Sequence, residues 1–205
     1  MKKNQKTVQL TQFSILLAIE AIFCFTPLGS LPAIGPIVAT LAMIPVIITA
    51  ILMGTKYGAL MGFFTGLFSF LVWSFAPPNP LLAFVFSPFY SFGEYHGNLG
   101  SVLICFVPRI LTGVVAGSLY KVFAKKKASG FVRYGLSAFV GSLVNTFLVL
   151  GGIALFFGQE YSQLAGNALY IIIGTTILFS GIPEAIVATV VSYAVCAPMK
   201  RQMAK

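Results

Sequence analysis

Apolar residues run along this chain in long blocks, with polar residues gathered between them. Six apolar segments read at roughly 8–26, 36–54, 57–75, 101–123, 133–157 and 168–197. Each approaches or exceeds the ~20 residues a helix needs to cross a bilayer. Positive charge alternates from one connection to the next. Lys2, Lys3 and Lys6 precede the first segment, and the first connection, TPLGSLPAIGP, carries none. A tight turn with Lys56 follows, and then the long third connection, APPNPLLAFVFSPFYSFGEYHGNLG, again without Lys or Arg. The fourth connection holds Lys121, Lys125, Lys126, Lys127 and Arg133, the fifth (GQEYSQLAGNAL) holds none, and the tail holds Lys200, Arg201 and Lys205. Cytoplasmic loops collect Lys and Arg, so the pattern predicts six transmembrane helices with both termini in the cytoplasm. The basic start followed by LPA resembles a cleaved leader, but losing the first segment would break the alternation.

Composition narrows the class further. Hydrophobic residues make up 58% and charged residues 8%, with a mean hydropathy of +0.96. A chain this poor in charge cannot cover itself in water. The expected fold is therefore an all-α integral membrane protein, with residues 1–205 forming one six-helix domain. The net charge of +9 sits where topology needs it and does not indicate nucleic acid. Cys24, Cys105 and Cys196 lie in apolar segments and read as small packing residues. There is no aspartate and one histidine, His96, which excludes most metal sites and catalytic triads. No glycine loop ending in Gly-Lys-Ser/Thr is present, so this chain should not hydrolyse ATP.

Small residues recur every four positions at Gly54, Gly58, Gly62 and Gly66, and again at Gly113 and Gly117 beside Ala116. Such stripes let helix backbones approach closely. They predict internal packing, with a face for a partner membrane protein as the other reading. Ser14, Ala18 and Ala21 form a shorter strip with the same two readings. The charge-free outer connections are long enough for lids. The aromatic run AFVFSPFYSFG suits either a segment dipping back into the membrane face or an interfacial belt.

Four polar residues inside the apolar segments stand out: Glu20, Arg109, Asn145 and Glu184. A charge at that depth costs on the order of 3 kcal/mol, so it is expected to be paired or to face a cavity. At ~1.5 Å per residue, Glu20 lies ~9 Å, Arg109 ~12 Å, Asn145 ~18 Å and Glu184 ~24 Å below the outer surface. Pro108 removes a helix hydrogen bond beside Arg109 and frees a carbonyl, and Pro183 does so beside Glu184. Arg109 has two readings: an ion pair with Glu20, or an anchor for an anionic ligand, whose carboxylate suits the forked guanidinium. Asn145 offers a donor and an acceptor, to a ligand or to a neighbouring helix. Glu184 reads as structural or as a partner contact.

The stretches PLGSLPAIGPIVATLAMIPVIITAILMGTKYGALMGFFTGLFSF and CFVPRILTGVVAG carry a resemblance. Over nearly its whole length the chain resembles the substrate-binding S components of energy-coupling factor (ECF) vitamin transporters, most of all the pantothenate-specific PanT group. The resemblance implies a vitamin-binding subunit, not an enzyme, in the plasma membrane, with no cofactor of its own. It implies a transmembrane coupling protein (the T component) and two ATPases as partners, and a toppling movement that releases the vitamin inside. It maps ligand contacts onto Arg109 and Asn145, and it suggests Asn79, Tyr90 and Asn98 as lid residues. Docking in this family uses an Ala-x-x-x-Ala face on the first helix, for which Ser14, Ala18 and Ala21 are the nearest matches here. The competing expectations are an S component for riboflavin or cobalamin, a self-sufficient proton-coupled carrier titrating at Glu20 and Glu184, and an assembly subunit without a ligand.

Overall fold

The computed structural model of the chain describes residues 2–29, 40–164 and 169–203. Its helices are α1 (Lys2–Phe25), α2 (Met43–Met53), α3 (Thr55–Phe75), the short α4 (Ala83–Phe86), α5 (Leu99–Lys125), α6 (Ser137–Leu164), α7 (Leu169–Thr176) and α8 (Ile182–Met203). A π-helical turn, Phe131–Leu136, leads into α6, and another, Ile177–Gly181, joins α7 to α8. Five of the resulting spans are long and apolar enough to cross a membrane: 6–25, 55–75, 99–125, 131–160 and 171–202. The protein is thus an all-α membrane protein, with five long helices and one shorter one among the described residues.

The shorter helix departs from expectation. Among its described residues, the segment read at 36–54 yields α2, which spans ~16 Å at 1.5 Å per residue, about half of a hydrocarbon core. Residues 30–39 lie outside the described residues, and Leu41 and Ala42 form a turn before Met43. Pro45 sits in the first turn of α2, where its missing N–H costs no helical hydrogen bond. Residues Met43 to Leu52 are all buried, because α2 runs through the middle of the bundle against α3, α5 and α8.

Glycine explains how tightly α3 and α5 cross. A Cβ on Gly62 would collide with the Arg109 carbonyl, and one on Gly113 with the Gly58 carbonyl. A Cβ on Gly66 would lie 3.0 Å from the Cys105 oxygen, and one on Gly117 3.0 Å from the Thr55 Cα. The stripes are therefore packing faces: lipid supplies no hydrophobic drive between helices, so close backbone contact takes its place. Gly54 does not belong to the stripe. It is the one-residue break between α2 and α3, with φ of 103°, a conformation that a side chain would strain.

Basic residues converge on one end of the bundle. Lys200 donates to the Leu52 carbonyl at the end of α2 (3.0 Å) and lies over the Tyr120 ring near the end of α5. Tyr120 stacks on Tyr134 in the π-helical turn that leads into α6, and Phe13 of α1 packs near Tyr57 of α3. Lys56, Lys121, Arg133, Lys200 and the N-terminal half of α1 consequently share that end.

The opposite end carries the long third connection. Its α4 dips into the bundle with all four residues buried, which gives the aromatic run a place inside. A buried segment needs partners for its carbonyls. Ser101 Oγ donates to the Phe84 carbonyl (2.7 Å) and Cys105 Sγ to the Phe86 carbonyl (3.0 Å), from positions four apart on one face of α5. After α4 comes a two-residue hairpin, Ser91–Phe92 paired with Tyr95–His96, whose turn begins at Gly93 with φ of 60°. The fifth span also runs past its expected end at 157. Helix continues to Leu164 across a bend at Phe157, which is buried edge-on against Phe84.

Candidate functional site

Between α4, the C-terminal ends of α1 and α3, and the middle of the last three spans lies a cavity of about 490 Å³. Its upper wall is largely apolar, with Phe23 and Phe25 from α1 and Val72 and Trp73 from α3. Trp73 stacks on Phe86 of α4 (centroids 4.5 Å apart), so the dipping segment closes one side. Four helical spans converge with polar groups on it: Thr65 and Ser69, Arg109, Asn145 and Thr146, and the Thr176–Ser180–Glu184 row, joined by Thr26, Thr40 and Asn79 from the connections. An apolar pocket with a few convergent polar groups is the usual form of a small-molecule site.

Arg109 is 8% exposed, and its position follows from the proline before it. Pro108 has no N–H, so the Ile104 carbonyl one turn earlier lacks its helical partner. Arg109 Nη1 donates to that carbonyl. The proline thus creates the acceptor that holds the arginine. The Phe86 ring lies 5.9 Å from the guanidinium carbon, and Nε has no hydrogen-bond partner. The guanidinium is held at one edge by its own helix, and Arg109 lines the cavity.

Glu20 is fully buried and accepts from Cys24 Sγ (3.3 Å), while its other oxygen has no partner. Among the described residues Arg109 forms no ion pair with Glu20, so that reading of the arginine is corrected: its hydrogen bond goes to its own helix. Asn145, 7% exposed, lines the cavity with Oδ1 unpartnered. Asn79 also lines it, its Oδ1 accepting from the Leu81 N–H (3.1 Å) at the start of the turn before α4.

Tyr90 and Asn98 are not brought into the cavity wall. Tyr90 anchors the hairpin, its carbonyl accepting from the Gly97 N–H. Asn98 caps α5, accepting from the Gly100 N–H (2.7 Å) while Ser101 Oγ accepts from its own N–H. Ser14 and Ala18 are exposed on α1 and Ala21 is half-buried, on a helix whose outward face also exposes Leu10, Ile15 and Ile22.

Glu184 is the functional-site candidate that sequence reasoning set aside. It is 6% exposed, lines the same cavity as Arg109, and its Oε1 has no partner. The signal was present as Thr176, Ser180 and Glu184, each four apart. Counting depth along the helix put Glu184 far below Arg109, but rise along one helix ignores tilt and the π-helical turn at Ile177–Gly181.

Comparison with known proteins adds four findings. A sequence model of the family described as "ECF transporter, substrate-specific component" matches residues 8–196. The chain is 35% identical over 161 residues to the pantothenic acid transporter PanT of Lactococcus lactis subsp. cremoris (strain MG1363), covering 78% of this chain and 76% of that one. It is 29% identical over 194 residues to the pantothenate transporter PanT of Leuconostoc mesenteroides subsp. mesenteroides, covering 88% and 78%. Its fold is similar to the crystal structure of the S-component for biotin from an ECF-type ABC transporter, with a TM-score of 0.58, 19% identity, and coverage of 95% and 94%.

Proposed function

We propose that this chain, which belongs to the substrate-specific components of ECF transporters, binds pantothenate in the cavity and delivers it inward. Membership carries the coarser facts. The chain is a multi-pass transport protein of the cell membrane, not an enzyme; it takes a vitamin without a cofactor of its own, and ATP is hydrolysed by the ECF module.

The observation that carries the pantothenate reading is Arg109. A guanidinium anchored to the Ile104 carbonyl, with a buried donor unused, calls for an anion. Pantothenate is a small carboxylate with one amide and two hydroxyls, and a cavity of about 490 Å³ is within the ordinary range for a ligand of that class. Asn145 meets its polar backbone, while Trp73 and Phe86 cover its methyl groups. The two relatives named as pantothenate transporters support the same choice.

In this account the basic end of the bundle faces the cytoplasm and the cavity opens outward, beneath a lid in which Asn79 reaches the ligand and Tyr90 and Asn98 hold the loop's shape. The exposed face around Ser14, Ala18 and Ala21 docks on the T component, which two ATPases drive, and the chain topples to release the vitamin. Calorimetric titration of pantothenate into the purified chain, with riboflavin and biotin as controls, tests the assignment. Saturable binding of pantothenate alone is expected. A folded protein that ignores pantothenate would refute it.

A further inference from the structure

The cavity holds a second kind of demand besides the anion site. Glu184 Oε1 and Asn145 Oδ1 are both acceptors, both belong to residues more than nine-tenths buried, and neither has a hydrogen-bond partner. Both residues line the wall that Arg109 also lines. A buried acceptor left without a donor loses its solvation with nothing in return. A ligand that brought only a carboxylate would satisfy Arg109 and leave these oxygens unmet. A ligand that also brings O–H groups offers donors to the Glu184 and Asn145 side chains on the same wall.

The local backbone is shaped for this. The Ile182 N–H bonds to the Ile177 carbonyl, five residues back, which widens the helix by one residue across Ile177–Gly181. Pro183, the next residue, cannot donate a helical hydrogen bond. π-Helical turns of this kind collect at functional sites. Here the turn puts Ser180, Gly181 and Glu184 on the cavity wall.

We propose that Glu184 is the specificity-determining acceptor for the hydroxyl end of the ligand, so that the site selects hydroxylated carboxylic acids over their deoxy counterparts. This rests on the pantothenate reading of the same cavity and adds the residue that sets its selectivity. A site built to hydrogen-bond a hydroxyl rejects the analogue lacking it much more strongly than an apolar pocket would.

The test is a two-by-two titration: wild type and Glu184→Ala, each with pantothenate and with the analogue in which hydrogen replaces both hydroxyls. Thermal unfolding of each variant checks the fold. Leaving a buried acceptor without its donor corresponds to about a 5- to 140-fold change in affinity. Wild type should bind the deoxy analogue weaker by that factor. Glu184→Ala should weaken pantothenate by a similar factor and leave the deoxy analogue within about threefold, as a coupled pair requires. Glu184→Gln, which keeps a carbonyl acceptor, should lie between. Equal losses for both ligands in Glu184→Ala would overturn the proposal. So would equal wild-type affinity for both ligands, a result that needs no variant to fold. Tighter binding of both ligands to Glu184→Gln would also overturn it, revealing a charge that merely repels the carboxylate. If wild type binds no pantothenate, the substrate assignment fails and this inference with it. Wild-type binding without coupling sinks this inference alone.

Discussion

Replacing Pro108 with alanine should make the protein more stable and a poorer binder at once. The variant restores a backbone N–H at 108, whose natural acceptor is the Ile104 carbonyl now used by Arg109 Nη1. A proline in a helix interior is about 3 kcal/mol less favourable than alanine, which sets the upper limit of the gain. The guanidinium loses its hold and must be ordered by the ligand instead. Fixing one long side chain on binding costs about 0.5–1.5 kcal/mol. That corresponds to about a 2- to 12-fold loss of pantothenate affinity. Thermal unfolding in detergent and calorimetric titration on the same preparation read the two effects. A raised melting temperature with unchanged affinity would refute the reasoning, because Arg109 would then owe its position to something other than the freed carbonyl.

The remaining predictions concern other parts of the same account. Gly62→Ala should lower stability by about 1–3 kcal/mol and weaken binding, because its Cβ would lie 2.6 Å from the Arg109 carbonyl carbon. Gly151→Ala, with nothing within 4 Å of the added methyl, should leave both melting temperature and affinity close to wild type. Asn145→Ala should cost about 1–3 kcal/mol of pantothenate binding, roughly 5- to 140-fold by titration, with little change in melting temperature. Ala18→Trp, on the exposed side of α1, should bind pantothenate within about twofold of wild type yet fail to support uptake when reconstituted with its ECF module. Normal uptake would remove Ala18 from the docking face.

The long spans were legible because lipid forces every backbone group into a helix, and hydropathy records that requirement residue by residue. The α3–α5 seam was legible for a related reason: Gly58, Gly62, Gly113 and Gly117 fall at helical spacing, and only packing rewards that. Spacing alone could not tell that Gly54 is a turn, since a glycine four residues before Gly58 fits either role. The shortness of α2 was also hidden, because a buried core helix and a membrane span are equally apolar. At the site, the proline-arginine pair pointed to the freed carbonyl, and the hydrogen bond from Arg109 to Ile104 answers it. Asn98 was ambiguous because asparagine serves as well at a helix start as at a ligand, and here its oxygen goes to the Gly100 N–H. Depth counted along one helix put Glu184 well below Arg109, yet both line the same cavity, beside the π-helical turn at Ile177–Gly181.

The most direct test of the central claim compares pantothenate with the analogue in which an alcohol replaces its carboxylate, titrated into wild type and into Arg109→Gln. If Arg109 receives the carboxylate, wild type should prefer the acid by at least tenfold, in line with a charge-assisted hydrogen bond of about 1.5–3 kcal/mol, and Arg109→Gln should lose that preference. Equal affinity of wild type for acid and alcohol, or a preference that survives in Arg109→Gln, would contradict the account.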